Sequence, residues 1–308
     1  LYVWAGDADT LDSDFLAVID VRPGSPTYAR VVSTLPVGAR ATIPHHTEHQ
    51  LELDHQLFAN GFKAGRTFRF DLTRPDQPRL LGSFTELGEF SYPHSFVQMP
   101  GGHLLATFQG RGPDNIPPGG LVELDREGRF IRATSARSES FDSLQMRPYS
   151  LAVLPDIDRV VSTSTDMLAD YGAHLQIWRL SDLSLLQTIE LPTTSGGDGH
   201  THEAPAKSKG EDHHLFPGEP RALPDGRTVL LATFTCGFYR VTDIDGPSPR
   251  VEFLRAFGGE NCAVPVLVGS LWLQTVPDEH AVVGLDVSDP AHPREVSRVT
   301  FDSTFMPH

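Results

Sequence analysis

Cysteine is almost missing from this chain. Only Cys236 and Cys262 occur in 308 residues, too few for the disulfide framework that sustains core-poor secreted domains. They fall in neighbouring strand units, so one bridge and two buried thiols are both open readings. No apolar run approaches the ~18–20 residues of a transmembrane helix. Long helical periodicity is also missing, and the stretch 138–147 comes nearest to it. Positive charge is scarce, with 25 Lys and Arg against 40 Asp and Glu and a formal net charge of −15. That balance offers no basic face to neutralise phosphates, which argues against nucleic acid and anionic membranes as partners. There is no Gly-x-Ser-x-Gly elbow and no Walker loop. The Gly pairs at 101–102, 119–120 and 196–197 lack the strand-to-helix setting that phosphate binding needs.

What the chain has in plenty is strand breakers. With 27 Gly and 25 Pro, turns interrupt the sequence every few residues, the signature of many short strands. Six outer hairpins read directly. FLAVIDV (15–21) precedes YARVVSTL, TFRFDLT (67–73) precedes RLLGSF, and GLVELD (120–125) precedes RFIRAT. LQIWRL (175–180) precedes LLQTIEL, GFYRVT (237–242) precedes VEFLRAF, and AVVGLDV (281–287) precedes EVSRVTF. Asp, Gly, Ser and Pro cluster between the partners, as tight turns require. Asp243-Ile244-Asp245 belongs to one of these turns rather than to a calcium loop.

A proline followed by a distinctive residue recurs at the start of successive units: Pro44-His45, Pro93-His94, Pro148-Tyr149, Pro217-Gly218 and Pro307-His308. Three copies continue to a Leu-Pro or Met-Pro pair, at Met99-Pro100, Leu154-Pro155 and Leu223-Pro224, and then to the strands LLATF, RVVSTST and VLLATF. A repeat of roughly 45–60 residues means one supersecondary unit copied around an axis or along a stack. The expected fold class is all-β, a β-propeller of four-stranded blades, with residues 1–308 forming one domain whose C-terminal blade is incomplete. The chain opens within a strand at LYVWAGD and stops as abruptly at FMPH. It therefore reads as a processed or partial chain whose targeting information lies elsewhere. Residues 193–216 break the repeat: this polar, Gly-rich stretch holds His200, His202, His213 and His214 and is expected to be a long inter-blade loop.

Four segments together resemble the selenium-binding protein / methanethiol oxidase family. They are DFLAVIDVRPGSPTYARVVSTLPV, the HHT at 45–47, YGAHLQIWRLSDLSLLQTIEL, and HAVVGLDVSDPAHPREVS. The resemblance implies a seven-bladed propeller, a periplasmic bacterial enzyme, and copper-dependent oxidation of methanethiol by O2 and water to formaldehyde, hydrogen sulfide and hydrogen peroxide. One family feature does not carry over. Where the family commonly has a Cys-Ser-Ser-Cys cluster, this chain has Glu48-His49-Gln50-Leu51 after His45-His46-Thr47.

The residues themselves point to metal. Imidazole suits copper, iron and zinc, and strands from different blades can aim several rings at one point. His45, His94 and His308 share the slot after the proline, and His46 is adjacent; strand alternation sends one of His45 and His46 inward and the other away. His49 reaches the same face if the strand bulges, and His214 lies just before an inner strand. Metal ligands are thus expected among His45, His46, His49, His94, His214 and His308. Glu48, Glu219 and Tyr149 are the expected catalytic groups, as carboxylates that orient an imidazole or as proton donors, with Arg221 to neutralise charge. His174 is expected to pack or bond across blades, and His55, His103 and His292 to be solvated turn residues.

Three readings follow. The first is a copper oxidase of a small sulfur compound, methanethiol foremost, using O2 as co-substrate. The second is a non-haem iron oxygenase that cleaves a C=C bond with four separate histidines, one per blade. The third is a non-catalytic propeller that binds metal, selenium or a partner protein. The expected location is periplasmic or secreted, with the cytoplasm as the alternative; oligomeric state has no signature in the sequence.

Overall fold

Short runs of apolar residues alternating with polar ones make strands, and the turn clusters between them force each to fold back on its predecessor. The computed structural model describes residues 1–48, 54–141, 145–166, 171–192, 216–262 and 264–302. It consists of six antiparallel sheets in two compact units, residues 1–137 and 138–308.

The first unit holds three sheets. One comprises β1 (Tyr2–Ala5), β2 (Phe15–Ile19) and β3 (Val31–Pro36). The next comprises β4 (Pro44–Thr47), β5 (Gln56–Gly61), β6 (Arg66–Asp71) and β7 (Arg79–Phe84). The third comprises β8 (Glu86–Leu87), β9 (Phe90–Gln98), β10 (Leu104–Arg111), β11 (Gly120–Leu124) and β12 (Phe130–Ser135). The short β8 is an additional edge strand beyond the expected four. Phenylalanines fill the layers between neighbouring sheets of this unit. Phe58 of β5 packs on Phe96 of β9, with ring centroids 6.0 Å apart, within a group that includes Phe90, Leu104, Phe108 and Val122. Each such ring is fully buried and worth about 2–3 kcal/mol relative to exposure.

The second unit also holds three sheets. Its first comprises β13 (Pro148–Leu154), β14 (Arg159–Asp166), β15 (Tyr171–Arg179) and β16 (Leu185–Glu190). Its second comprises β17 (Pro217–Ala222), β18 (Val229–Thr233), β19 (Gly237–Thr242) and β20 (Arg250–Ala256). Its third comprises β21 (Pro265–Val268), β22 (Leu271–Val276), β23 (Ala281–Asp286) and β24 (Arg294–Thr300). Every strand pairs with its sequence neighbour, so each sheet is a meander of the propeller-blade type. The fold class is all-β, a β-propeller.

Several details differ from the sequence expectation. No α-helix occurs among the described residues, and 138–147 contributes no helical turn there; only two single-turn 3₁₀ segments appear, Pro155–Ile157 and Pro277–Glu279. The proline slot has one more occupant than the sequence revealed, because Pro265 opens β21. The cysteine question, left open by the sequence, is answered by a Cys236–Cys262 disulfide within the second unit. Among the described residues, no helix is long and apolar enough to cross a membrane.

Candidate metal centre

The site begins with a repeated irregularity. Pro44 on β4 pairs with Gly61 and Thr47 with Ala59, so His45 and His46 together face the single residue Asn60. The same count recurs on β9, where Pro93 pairs with Phe108 and Phe96 with Ala106, leaving His94 and Ser95 opposite Thr107. On β13 and β17 the residue pairs in this bulge are Tyr149-Ser150, opposite Thr163, and Gly218-Glu219, opposite Ala232. A proline cannot donate to the ladder, and the extra residue that follows breaks the two-residue alternation. The bulge also removes the second residue's N–H from the ladder, and a side chain of the next strand accepts it instead. His46 N–H donates to Asn60 Oδ1 at 2.5 Å, Ser95 N–H to Thr107 Oγ1 at 3.0 Å, and Ser150 N–H to Thr163 Oγ1 at 3.2 Å.

This bulge corrects the expectation that only one of His45 and His46 turns inward. Both do. One ring nitrogen from each of His45, His46 and His94 lies within 4.8 Å of the other two. Ring centroids are 4.3 Å apart for His45–His46, 4.8 Å for His45–His94 and 4.3 Å for His46–His94. His94 is 0% exposed and His46 7%. The Ser95 hydroxyl lies 3.2 Å from His94 Nδ1. Phe62, just past β5, closes the cluster on an apolar side, its ring 5.8 Å from both His45 and His94. Among the described residues, this is the one cluster of three or more potential metal ligands.

The remaining expected residues are not members of that cluster or lie beyond what is described. Glu48 accepts from Arg126 at 2.7 Å through one oxygen and from Phe58 N–H at 2.9 Å through the other. Burial pushes its carboxyl up despite the guanidinium. Arg126 also holds Asp54 at 2.5 and 3.0 Å and lies over the Phe58 ring, so Glu48 belongs to a buried ionic tie beside β5. In the second unit, Glu219 is fully buried and paired with Arg221, whose guanidinium also donates to Pro265 O at 3.0 Å. Tyr149 is buried against Phe234, at 5.7 Å between centroids. Desolvation, then the nearby Glu219 charge, holds its phenol proton well above the usual tyrosine range. His174 is buried edge-on to Phe141. His103, read as a solvated turn residue, bonds Glu123 at 2.7 Å. His49, His214 and His308 lie outside the described residues, as does the rest of 193–215.

Two residues that shape the cluster were not singled out in the sequence. Asn60 and Phe62 lie in the run LFANGF, where a lone asparagine inside an otherwise apolar strand was the available signal. A buried Asn that is fully bonded marks a place where the backbone has been taken out of its ladder.

No family model matches the chain. Among characterised proteins, a methanethiol oxidase of Hyphomicrobium sp is 34% identical over 112 residues, covering 34% of this chain and 25% of that protein. A methanethiol oxidase of Ruegeria pomeroyi is 29% identical over 139 residues, covering 42% of this chain and 31% of that protein. The resemblance is to the methanethiol oxidase and selenium-binding protein family. The matched segments thus span only about a quarter to a third of these relatives' own length. Among solved structures, a hypothetical selenium-binding protein from Sulfolobus tokodaii superposes over 97% of this chain and 74% of its own, with TM-score 0.75 at 15% identity. A putative 6-phosphogluconolactonase from Bacteroides fragilis superposes over 98% of this chain and 81% of its own, with TM-score 0.64 at 12% identity. Likeness at such identities establishes the propeller fold and leaves the chemistry to the site.

Proposed function

We propose that this protein is a copper-dependent oxidase of a small sulfur compound, with methanethiol as the leading substrate. The balanced reaction is methanethiol, O2 and water to formaldehyde, hydrogen sulfide and hydrogen peroxide. The observation that carries the reading is the cluster of His45, His46 and His94 within 4.8 Å, in a chain similar to two methanethiol oxidases.

The donor set fits the metal. Three imidazoles without a thiolate suit copper, zinc or iron, and a three-ligand site retains a position for substrate. Bound there, copper supplies affinity for a soft sulfur atom and one-electron redox chemistry towards O2. His45, His46 and His94 would hold it. Ser95 Oγ against Nδ1 of His94 orients that ring so that Nε2 is its ligating atom. Phe62 gives the methyl group of a small thiol an apolar wall and keeps water from one side of the cluster. Tyr149 and Glu219 belong to the second unit and are given no step at this cluster. Glu48 is given no proton-transfer role here, because both of its oxygens are held by Arg126 and Phe58.

Two of the three histidines come from one strand, which departs from the one-histidine-per-blade set that the iron oxygenase reading requires. The Cys236–Cys262 bond supports the proposal of a periplasmic or secreted location, where such bonds persist.

The test is stoichiometric. Copper-loaded protein given methanethiol should consume O2 and release sulfide and peroxide in equal amounts, and His94→Ala should abolish all three. Copper-loaded wild type that leaves methanethiol unchanged would overturn the substrate assignment.

A further inference from the structure

The backbone of the cluster is held by a residue that is not one of its three imidazoles. Asn60 sits on β5 with its side chain fully buried. Its Oδ1 accepts the His46 N–H at 2.5 Å, and its Nδ2 donates to Pro93 O at 2.8 Å. The assignment of the two amide atoms is forced, because an N–H is only a donor and a carbonyl only an acceptor. One carboxamide therefore fixes two peptide planes, the one entering His46 and the one entering His94. Asn60 is itself anchored: its strand pairs it with Thr67, and its carbonyl accepts from Trp4 Nε1 at 2.7 Å.

The equivalent positions show what is particular to Asn60. Thr107 and Thr163 also face a bulge and also accept its stranded N–H. Thr163 also bridges two bulges, donating to Gly218 O on β17 at 2.7 Å, as the Asn60 amide bridges the β4 and β9 bulges. Asparagine stands at the one position where both joined bulges carry imidazoles of the cluster.

We infer that Asn60 is the positioning residue that sets the His46–His94 separation and so the affinity and symmetry of the metal site. This rests on the reading of the cluster as a copper site. Loss of partners that orient ligands typically costs 10–100-fold in metal affinity. The orientation here is applied through the backbone of two ligands at once.

The experiment titrates full-length protein with Cu(II) against a competing chelator and records the electron paramagnetic resonance spectrum of the bound ion. Wild type, Asn60→Thr, Asn60→Leu and Ser162→Ala are compared, each with its thermal midpoint. Asn60→Thr keeps an acceptor for His46 N–H and a donor of the kind that Thr163 uses to reach the next bulge; Asn60→Leu loses both bonds. Copper affinity should fall 10–100-fold in Asn60→Leu, with altered copper hyperfine splitting, and stay closer to wild type in Asn60→Thr. Ser162→Ala removes a buried bond to Trp178 in the other unit and should lower the midpoint without changing the spectrum. If Asn60→Leu does not fold, Asn60→Ala, which also loses both bonds, carries the test. Wild-type affinity and an unchanged spectrum in folded Asn60→Leu or Asn60→Ala would overturn the assignment. Failure of wild type itself to bind copper would instead overturn the copper reading on which it rests.

Discussion

Whether a buried carboxylate stabilises or weakens a fold depends on which of two opposing effects is larger, and Glu123 shows one outcome. Burial raises its carboxyl, but hydrogen bonds to His103 and Arg132 outweigh burial and hold it below the ordinary glutamate range. A lowered folded value means that Glu123 contributes stability above the unfolded value near 4.5 and loses it as the pH falls below that point. Urea unfolding between about pH 5 and pH 3 should therefore show wild type losing stability faster than Glu123→Gln. Parallel slopes would mean that the bonds to His103 and Arg132 do not persist in solution. At this scale the sequence showed which residue types matter, since His45 and His94 stand out by their repeated slot and His46 by lying beside the first. It did not show Asn60, because a hydrogen bond to a displaced backbone N–H has no motif.

The strands were legible because alternation and turn chemistry are local properties. All six outer hairpins fall where TFRFDLT, GLVELD and their counterparts placed them. The bulge was not legible, since it depends on how two strands register rather than on either strand alone. For that reason the sequence could not say which of His45 and His46 faces inward. The element also makes its own prediction. Thr163 accepts Ser150 N–H at 3.2 Å and donates to Gly218 O at 2.7 Å, tying the β13 bulge to the next sheet's inner strand. Replacing it with valine keeps the shape and strands two buried backbone groups, which costs about 1–3 kcal/mol. The urea midpoint of Thr163→Val should fall accordingly with little change in slope. An unshifted midpoint would mean that water or a relaxed backbone replaces both bonds.

At the scale of the whole molecule, the proline-led repeat revealed the propeller class, and the superposition on a selenium-binding protein at TM-score 0.75 bears it out. The same repeat placed histidines in equivalent slots, but equivalence alone did not say which would meet. Three do, within one unit, through the two bulges that Asn60 joins. His49, His214 and His308, the other expected ligands, lie outside the described residues.

The central claim is that His45, His46 and His94 form a copper site. The most direct measurement is the copper content of purified, reconstituted protein, for wild type, His46→Ala and His94→Ala, with circular dichroism to confirm folding. The account predicts about one copper per chain in wild type and loss of most of it in both variants, with the β-sheet spectrum unchanged. Copper retained at wild-type level in both folded variants, or none bound by wild type, would contradict it.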